Sequence, residues 1–294
     1  MRPAPRTLRR AVAAATVALL ATAVGCAPQP EGEASAAPSG PASKACAKGA
    51  SPTKTSGKLT IATDEPAYEP WFKDGKPANG EGFESAVAYA VAKRLGYGKS
   101  AVVWQSVPFN KAFAPGVKTF DFDINQVSIS AERKKAVDFS SGYYDVRQAV
   151  IALKGGKAAK ATSIADLRKL KLGAQVGTTS LDYITDVVKP AREAAVYAKN
   201  DQAKSALRNG QVDAVVTDLP TAFYITAAEV TDARIVGQFE HQGGTPEQFG
   251  LVLDKGSALT PCVTAAVDAL REDGTLAAIE KRWLSDAVDA PVLK

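Results

Sequence analysis

From residue 58 onward, apolar positions follow two alternating periods, one suited to strands and one to helices. KLTIAT (58–63) is a short, largely apolar run and predicts a strand. FESAVAYAVAKRL (83–95) repeats apolar residues at helical spacing, with Ala86, Val87, Ala90 and Val91 on one stripe and Gly96 as its stop. AVVWQ (101–105) and FDFDI (120–124) predict further strands, with a short helix over residues 109–114 between them. QAVIALK, LGAQV, DAVVTD and FGLVL predict buried strands, interleaved with helices near residues 163–170, 181–188, 202–208 and 221–229. Near the end, Leu259, Cys262, Val263, Ala266, Val267 and Leu270 recur at three and four residues, Gly274 breaks the run, and a last helix ends near Trp283 and Leu284. Such alternation predicts an α/β architecture with largely parallel sheets.

The first 57 residues lack this pattern. A basic stretch, MRPAPRTLRR, precedes a 14-residue apolar run over 11–24 and then Gly25 and Cys26, the three parts of an export signal (residues 1–25). The run is shorter than the ~17–25 residues of a spanning helix, and no other uninterrupted apolar stretch of that length follows. A cysteine in this place resembles the bacterial lipobox, in which Cys26 is diacylated and becomes the mature N-terminus, although Ala23 stands where Leu is usual. Plain secretion with an incidental cysteine is the alternative. Arg9 and Arg10 suit either the general secretory or the twin-arginine route. Residues 27–57 are rich in Pro, Ala, Ser and Gly with no aliphatic residue larger than Ala, so 26–57 reads as a lipid-anchored flexible tether.

Charge changes the picture only once this segment is removed. The 294 residues carry a formal net charge of +5, but residues 1–25 hold Arg2, Arg6, Arg9 and Arg10 and no acid, so the remainder is close to neutral. Nothing in that balance points to a nucleic-acid partner. With 46% apolar and 23% charged residues, the chain is ordinary globular, with room for one large or two medium domains.

Catalytic signatures are sparse. The one histidine, His241, lies in the loop-like FEHQGG, so a Ser-His-Asp or Cys-His arrangement has no evident base. Three cysteines without a CxxC do not make an ordinary zinc site, and no P-loop or dinucleotide fingerprint is present, so no cofactor or metal is expected. Asp121 and Asp123 share one face of a strand end, where turn or surface roles are commoner than acid–base work.

The central stretch FDFDINQVSISAERKKAVDFSSGYY (120–144) resembles a segment of the extracellular family 3 solute-binding proteins, the polar amino acid receptors of ABC importers. YEPWF, GFESAVAYAVAKRLG, VGTTS, NGQVDAVVTD and ALREDGTLAAIEKRWL fall in the family's order over most of 58–294. The resemblance implies a type II periplasmic-binding-protein-like fold: two α/β lobes, two hinge crossings, and a cleft that grips a ligand between strand ends. It places the crossings near residues 144–148 and 247–250, with lobe one built from 58–146 plus 250–294 and lobe two from 147–249.

The same resemblance implies a site. Arg133 corresponds to the family's carboxylate-binding arginine, and a planar guanidinium can grip a carboxylate bidentately where Lys134 or Lys135 cannot. Thr178 and Thr179, at a helix start after LGAQV, clamp that carboxylate from the other lobe by similarity; a simple N-cap is the alternative. Asp218 occupies the place of the ammonium-binding aspartate, with Ser128 and the carbonyl of Gln126 beside it; an ordinary helix cap is the alternative. Tyr68 and Phe109 match the aromatic pair that sandwiches the ligand, while Asp64 and Gln175 face its side chain, favouring a neutral or basic polar amino acid.

Together these imply a monomeric, extracytoplasmic, membrane-anchored lipoprotein that captures an amino acid and delivers it to an ABC permease. A dehydratase-like enzyme on the same fold and a ligand-free envelope lipoprotein are the alternatives. After export, Cys46 and Cys262 can pair; a buried free thiol at Cys262 is the alternative.

Overall fold

The protein is described from a computed structural model, over Cys46, residues 52–241, Gly243, and residues 246–284 and 290–294. Its ten strands are β1 (Leu59–Thr63), β2 (Val102–Ser106), β3 (Phe122–Asp123), β4 (Val137–Val146), β5 (Gln148–Leu153), β6 (Leu172–Gln175), β7 (Ala195–Tyr197), β8 (Ala214–Asp218), β9 (Ala233–Gln238) and β10 (Glu247–Asp254). The helices are α1 (Phe83–Arg94), α2 (Phe109–Ala112), α3 (Arg133–Ala136), α4 (Ile164–Leu167), α5 (Thr179–Asp182), α6 (Asn200–Arg208), α7 (Leu219–Tyr224), α8 (Thr260–Glu272) and α9 (Thr275–Leu284).

The strands form two five-stranded sheets, ordered β2-β1-β3-β10-β4 and β7-β6-β8-β5-β9. Neither is largely parallel. Parallel pairing holds for β2-β1-β3 and for β7-β6-β8, whereas β10 runs antiparallel to β3 and β4, and β5 antiparallel to β8 and β9. The antiparallel strands are those that follow a passage between sheets. Buried on both faces, they show the same continuous apolar run as a parallel strand, so periodicity alone could not distinguish them.

The chain leaves the first sheet at Val146 and enters the second at Gln148, with Arg147 between; it returns in β10, whose pairing with β4 begins at Glu247↔Val146. The C-terminus departs from the expected lobe one. Leu284 packs in the core of the first sheet, but Leu293 is buried in that of the second. There Val292 bridges Gln238 in parallel, Gln238 N–H donates to Pro291 O at 2.8 Å, and Leu293 N–H to Gln238 O at 2.9 Å. Residues 290–294 therefore belong to lobe two, where they extend the sheet beside β9. The sequence there, APVLK, is too short to carry a period.

Packing explains the local choices. α1 buries Val87, Ala88, Val91 and Ala92, a stripe rotated from the expected Ala86 and Ala90, and it also buries Glu84. Gly82 at its start has φ +94°, and a Cβ there would run into the backbone of Trp71, Phe72 and Lys73, so a side chain would displace the YEPWF loop. α8 buries Cys262 against the first core, and a disulfide joins it to Cys46 across 216 residues of sequence. Cys26 lies outside the described residues. Among the described residues, no helix is long and apolar enough to cross a membrane.

Candidate functional site

Between the two sheets lies a small cavity of about 30 Å³ lined by Asp64, Tyr68, Phe109, Asn125, Gln126, Ser128, Arg133, Gln175, Thr178, Thr179, Asn200 and Asp218. All ten residues singled out in the sequence reach this one cavity. Asn125 and Asn200 join them; Asn125 lies within the 120–144 motif without having been singled out, and Asn200 belongs to no motif. The volume is that of one or two waters, because the lobes touch across it; anything larger enters only if they part. Trp71 Nε1–H donates to Thr221 Oγ1 at 3.0 Å, and Ser128 Oγ lies 3.2 Å from Thr179 Oγ1. Both contacts join the lobes.

Arg133 brings positive charge to the cavity. Arg133 is buried at the start of α3, its Nη1 donating to Ser128 O at 2.6 Å and its Nη2 to Gly177 O of the opposite lobe at 2.8 Å. Its guanidinium carbon stands 4.4 Å from the ring centre of Phe113 and 5.8 Å from that of Phe109, so two aromatic faces orient the fork. Burial pushes its pKa down, and the carboxylates of Asp182, Glu247 and Asp218 oppose that shift. Gly177 has φ +73°, and a Cβ there would overlap the amide of Asn110, so this turn brings the two lobes together as only glycine allows. Thr178 is an N-cap: its hydroxyl accepts from Leu181 N–H at 3.2 Å and donates to Gln175 O at 2.8 Å. Capping already occupies that hydroxyl.

Asp218 brings an acid to the cavity. Asp218 stands at the N-terminus of α7 yet makes no side-chain cap; its Oδ1 accepts from Gln148 Nε2 at 2.8 Å. Burial pushes its carboxyl up to about 7, and the nearby Glu247 carboxylate adds to the rise. Gln148 is fully buried, and its Oε1 accepts from Ser180 Oγ at 2.6 Å, which turns its NH₂ toward Asp218. Gln126 has φ +49°, a left-handed conformation costing about 1–2 kcal/mol outside glycine. Glu84 holds it there: the carboxylate accepts from Gln126 N–H at 2.7 Å, from the Gln126 amide, and from the buried Tyr143 hydroxyl. Burial pushes Glu84 up to about 7, opposed by those bonds.

At the remaining wall, Asp64 follows β1 and accepts from Glu65 N–H at 2.7 Å. The phenol of Tyr68 is raised above its ordinary range, first by burial and then by Asp201. Lys204 Nζ lies 5.1 Å above the Tyr68 ring but is paired with Asp201 at 2.8 Å and Glu229 at 2.7 Å. The acids of FDFDIN are not surface groups. Asp121 is buried and accepts from Lys54 N–H and Thr60 N–H at 2.7 Å each, while Asp123 is fully buried with its carboxyl pushed well up by burial. A wider hollow of about 580 Å³ over Asp121 and Asp254 is lined by none of the ten residues singled out in the sequence, and both acids there are bonded to backbone N–H groups.

Comparison with known proteins identifies the family. Residues 59–286 match the profile of the bacterial extracellular solute-binding proteins, family 3. The glutamine-binding protein of a Bacillus subtilis ABC transporter is 31% identical over 218 residues, covering 71% of this chain and 76% of that protein. The L-arginine-binding protein of Pseudomonas aeruginosa is 27% identical over 248 residues, covering 77% and 90%. Among solved structures, an ancestral arginine-binding protein bound to arginine superposes with a TM-score of 0.65 at 30% identity, over 77% of this chain and 98% of that one. The match spans well over half of the chain and both sheets, so the protein belongs to the bacterial extracellular solute-binding proteins, family 3, and works outside the cytoplasm.

Proposed function

We propose that this protein is the receptor of an ABC importer for a basic or neutral polar amino acid, that it binds its solute without changing it, and that a lipid on Cys26 holds it at the membrane. One observation carries the amino acid reading: a single cavity is lined by both the Arg133 guanidinium and the Asp218 carboxyl, the two charges a zwitterion needs. Burying either ligand charge without its partner costs several kcal/mol. Arg133 holds the carboxylate, with the α5 N-terminus at Thr178 and Thr179 opposite; Asp218, Ser128 and the Gln126 carbonyl receive the ammonium.

The far wall supports the ligand class. Asp64 lines it, Asp201 stands close to Tyr68, and Lys204 is already neutralised by two carboxylates. A cationic or amide side chain is favoured there and an acidic one is not. The relatives named for glutamine and arginine fit this preference. Purified protein incubated with the twenty amino acids, then denatured and read by mass spectrometry, tests the proposal. One basic or amide amino acid retained unchanged supports it; a solute consumed points to an enzyme, and nothing retained to an envelope protein without a ligand.

A further inference from the structure

Glu247 occupies the first position of β10, where the chain returns to lobe one, directly opposite Val146 at the other passage. No motif marked it, yet Ser128 and Gln148 both bond to it. Ser128 Oγ donates to Glu247 Oε1 at 2.6 Å, and Gln148 Nε2, fixed by Ser180, lies 2.8 Å from Asp218 Oδ1 and 3.4 Å from both Glu247 oxygens. A hydroxyl has one proton and two lone pairs. With that proton directed to Glu247, Ser128 Oγ can offer only lone pairs to the cavity it lines, and in its 3.2 Å contact with Thr179 the threonine must be the donor.

We infer that Glu247 is a positioning residue for ammonium selection: it fixes the Ser128 hydroxyl as an acceptor and, through Gln148, couples that acceptor to Asp218 across the hinge. The inference rests on the amino acid reading above. An α-ammonium then meets two acceptors, Ser128 Oγ and Asp218, whereas a ligand without that group leaves both unmatched. Without Glu247 the Ser128 proton is free to turn toward the cavity and oppose the ammonium. The groups facing Asp218 are Glu247 from β10, Gln148 from β5, Glu84 from α1, Arg133 from the start of α3 and Tyr144 from β4. Of these, Glu247 is the strongest negative influence, so removing its charge also moves the pH at which Asp218 ionises toward acid.

The test compares L-arginine with 5-guanidinopentanoate, the same molecule without its α-amino group, by calorimetry on wild type, Glu247→Ala and Glu247→Gln. Should wild type retain another of the twenty amino acids instead, the same pair is built on that side chain. Glu247→Ala should weaken the amino acid about 10- to 100-fold, the range of one hydrogen bond to a charged group, and the analogue by less than about threefold. Glu247→Gln keeps an oxygen for the Ser128 proton, so it should recover much of the preference while shifting the pH midpoint of binding to a lower value. Binding of the analogue reports that the cleft is folded. Equal loss for both ligands, no loss for either, or an unmoved pH midpoint in Glu247→Gln overturns the inference and leaves the amino acid reading intact. Wild type that binds none of the twenty overturns both.

Discussion

With the ammonium received by Asp218 as proposed, ligand affinity should depend on pH in a way whose size follows from the structure. The Asp218 carboxyl is pushed from near 3.8 up to about 7, with burial as the main cause and Glu247 next. An α-ammonium beside it favours the ionised form, so binding expels a proton whenever Asp218 holds one. Affinity is therefore constant above about pH 7 and falls below it, reaching about 100-fold weaker at pH 5, two units under the midpoint. Without ligand the sign for stability is the reverse. Asp218 and Glu84 both lie above their ordinary values, so the stability they contribute is full below about pH 4 and is lost as pH rises through about 7. Calorimetry at pH 5, 6, 7 and 8 with the retained amino acid reads the binding effect. Glu84 titrates in the same range, so Asp218→Asn identifies the group responsible: it should bind weakly at pH 8 and lose most of the slope. A wild-type dissociation constant within threefold between pH 5 and 8, or an undiminished slope in Asp218→Asn, would refute the reasoning.

Four further outcomes are expected. Arg133→Ala should weaken binding about 30- to several thousand-fold and Arg133→Lys should also bind poorly, while the exposed Lys134→Ala stays within twofold, all by calorimetry on folded protein. Removing the Cys46–Cys262 bond, which closes 216 residues of chain, should cost about 5 kcal/mol of stability by loop-closure entropy; the mature protein, denatured without reductant, should show no free thiol at these two positions. Cys26→Ser should release the protein from the membrane fraction, and unchanged sedimentation with membranes would exclude the lipid anchor. Trp71→Phe deletes the bond to Thr221 between the lobes, so affinity should fall about 2- to 10-fold, with little change in which amino acid is preferred.

What the sequence could disclose was whatever short motifs encode. Arg133, Thr178, Thr179 and Asp218 each sit at a strand or helix end within a recognisable string, and the structure brings them to one cavity. Gln148 and Glu247 were invisible as site residues for a physical reason. Gln148 begins an apolar strand and Glu247 follows a loop, and they meet only because the two passages between sheets run side by side. Glu84 stands in the first turn of α1, a place no motif marks, and it is fully buried because Tyr143 and Gln126 supply three donors to its carboxylate. Phe113 and Asn200 belong to no motif at all. The tail at 290–294 joins lobe two through backbone bonds to Gln238, a pairing that leaves no trace in side-chain pattern.

The distribution of these groups bears on how binding is converted into closure. A ligand shifts the equilibrium between open and closed lobes only by its differential affinity for the two. In this structure the Arg133 guanidinium already reaches Gly177 O of the opposite lobe, and Trp71 and Ser128 reach Thr221 and Thr179. These contacts join protein groups of the two lobes directly and so favour the closed form. Gln148 and Glu247 begin the strands at the two passages between the sheets, beside Asp218, whereas the Arg133–Gly177 contact spans the lobes and is lost when they part. An amino acid placed by its ammonium at the hinge can thus be held in the open form through Asp218 and gain its second lobe at the carboxylate only on closing. The carboxylate contact then supplies the differential term, and this is why Arg133, whose guanidinium bonds Ser128 O and Gly177 O of the two lobes, should affect closure more than Gln148 or Glu247 at the passages between them.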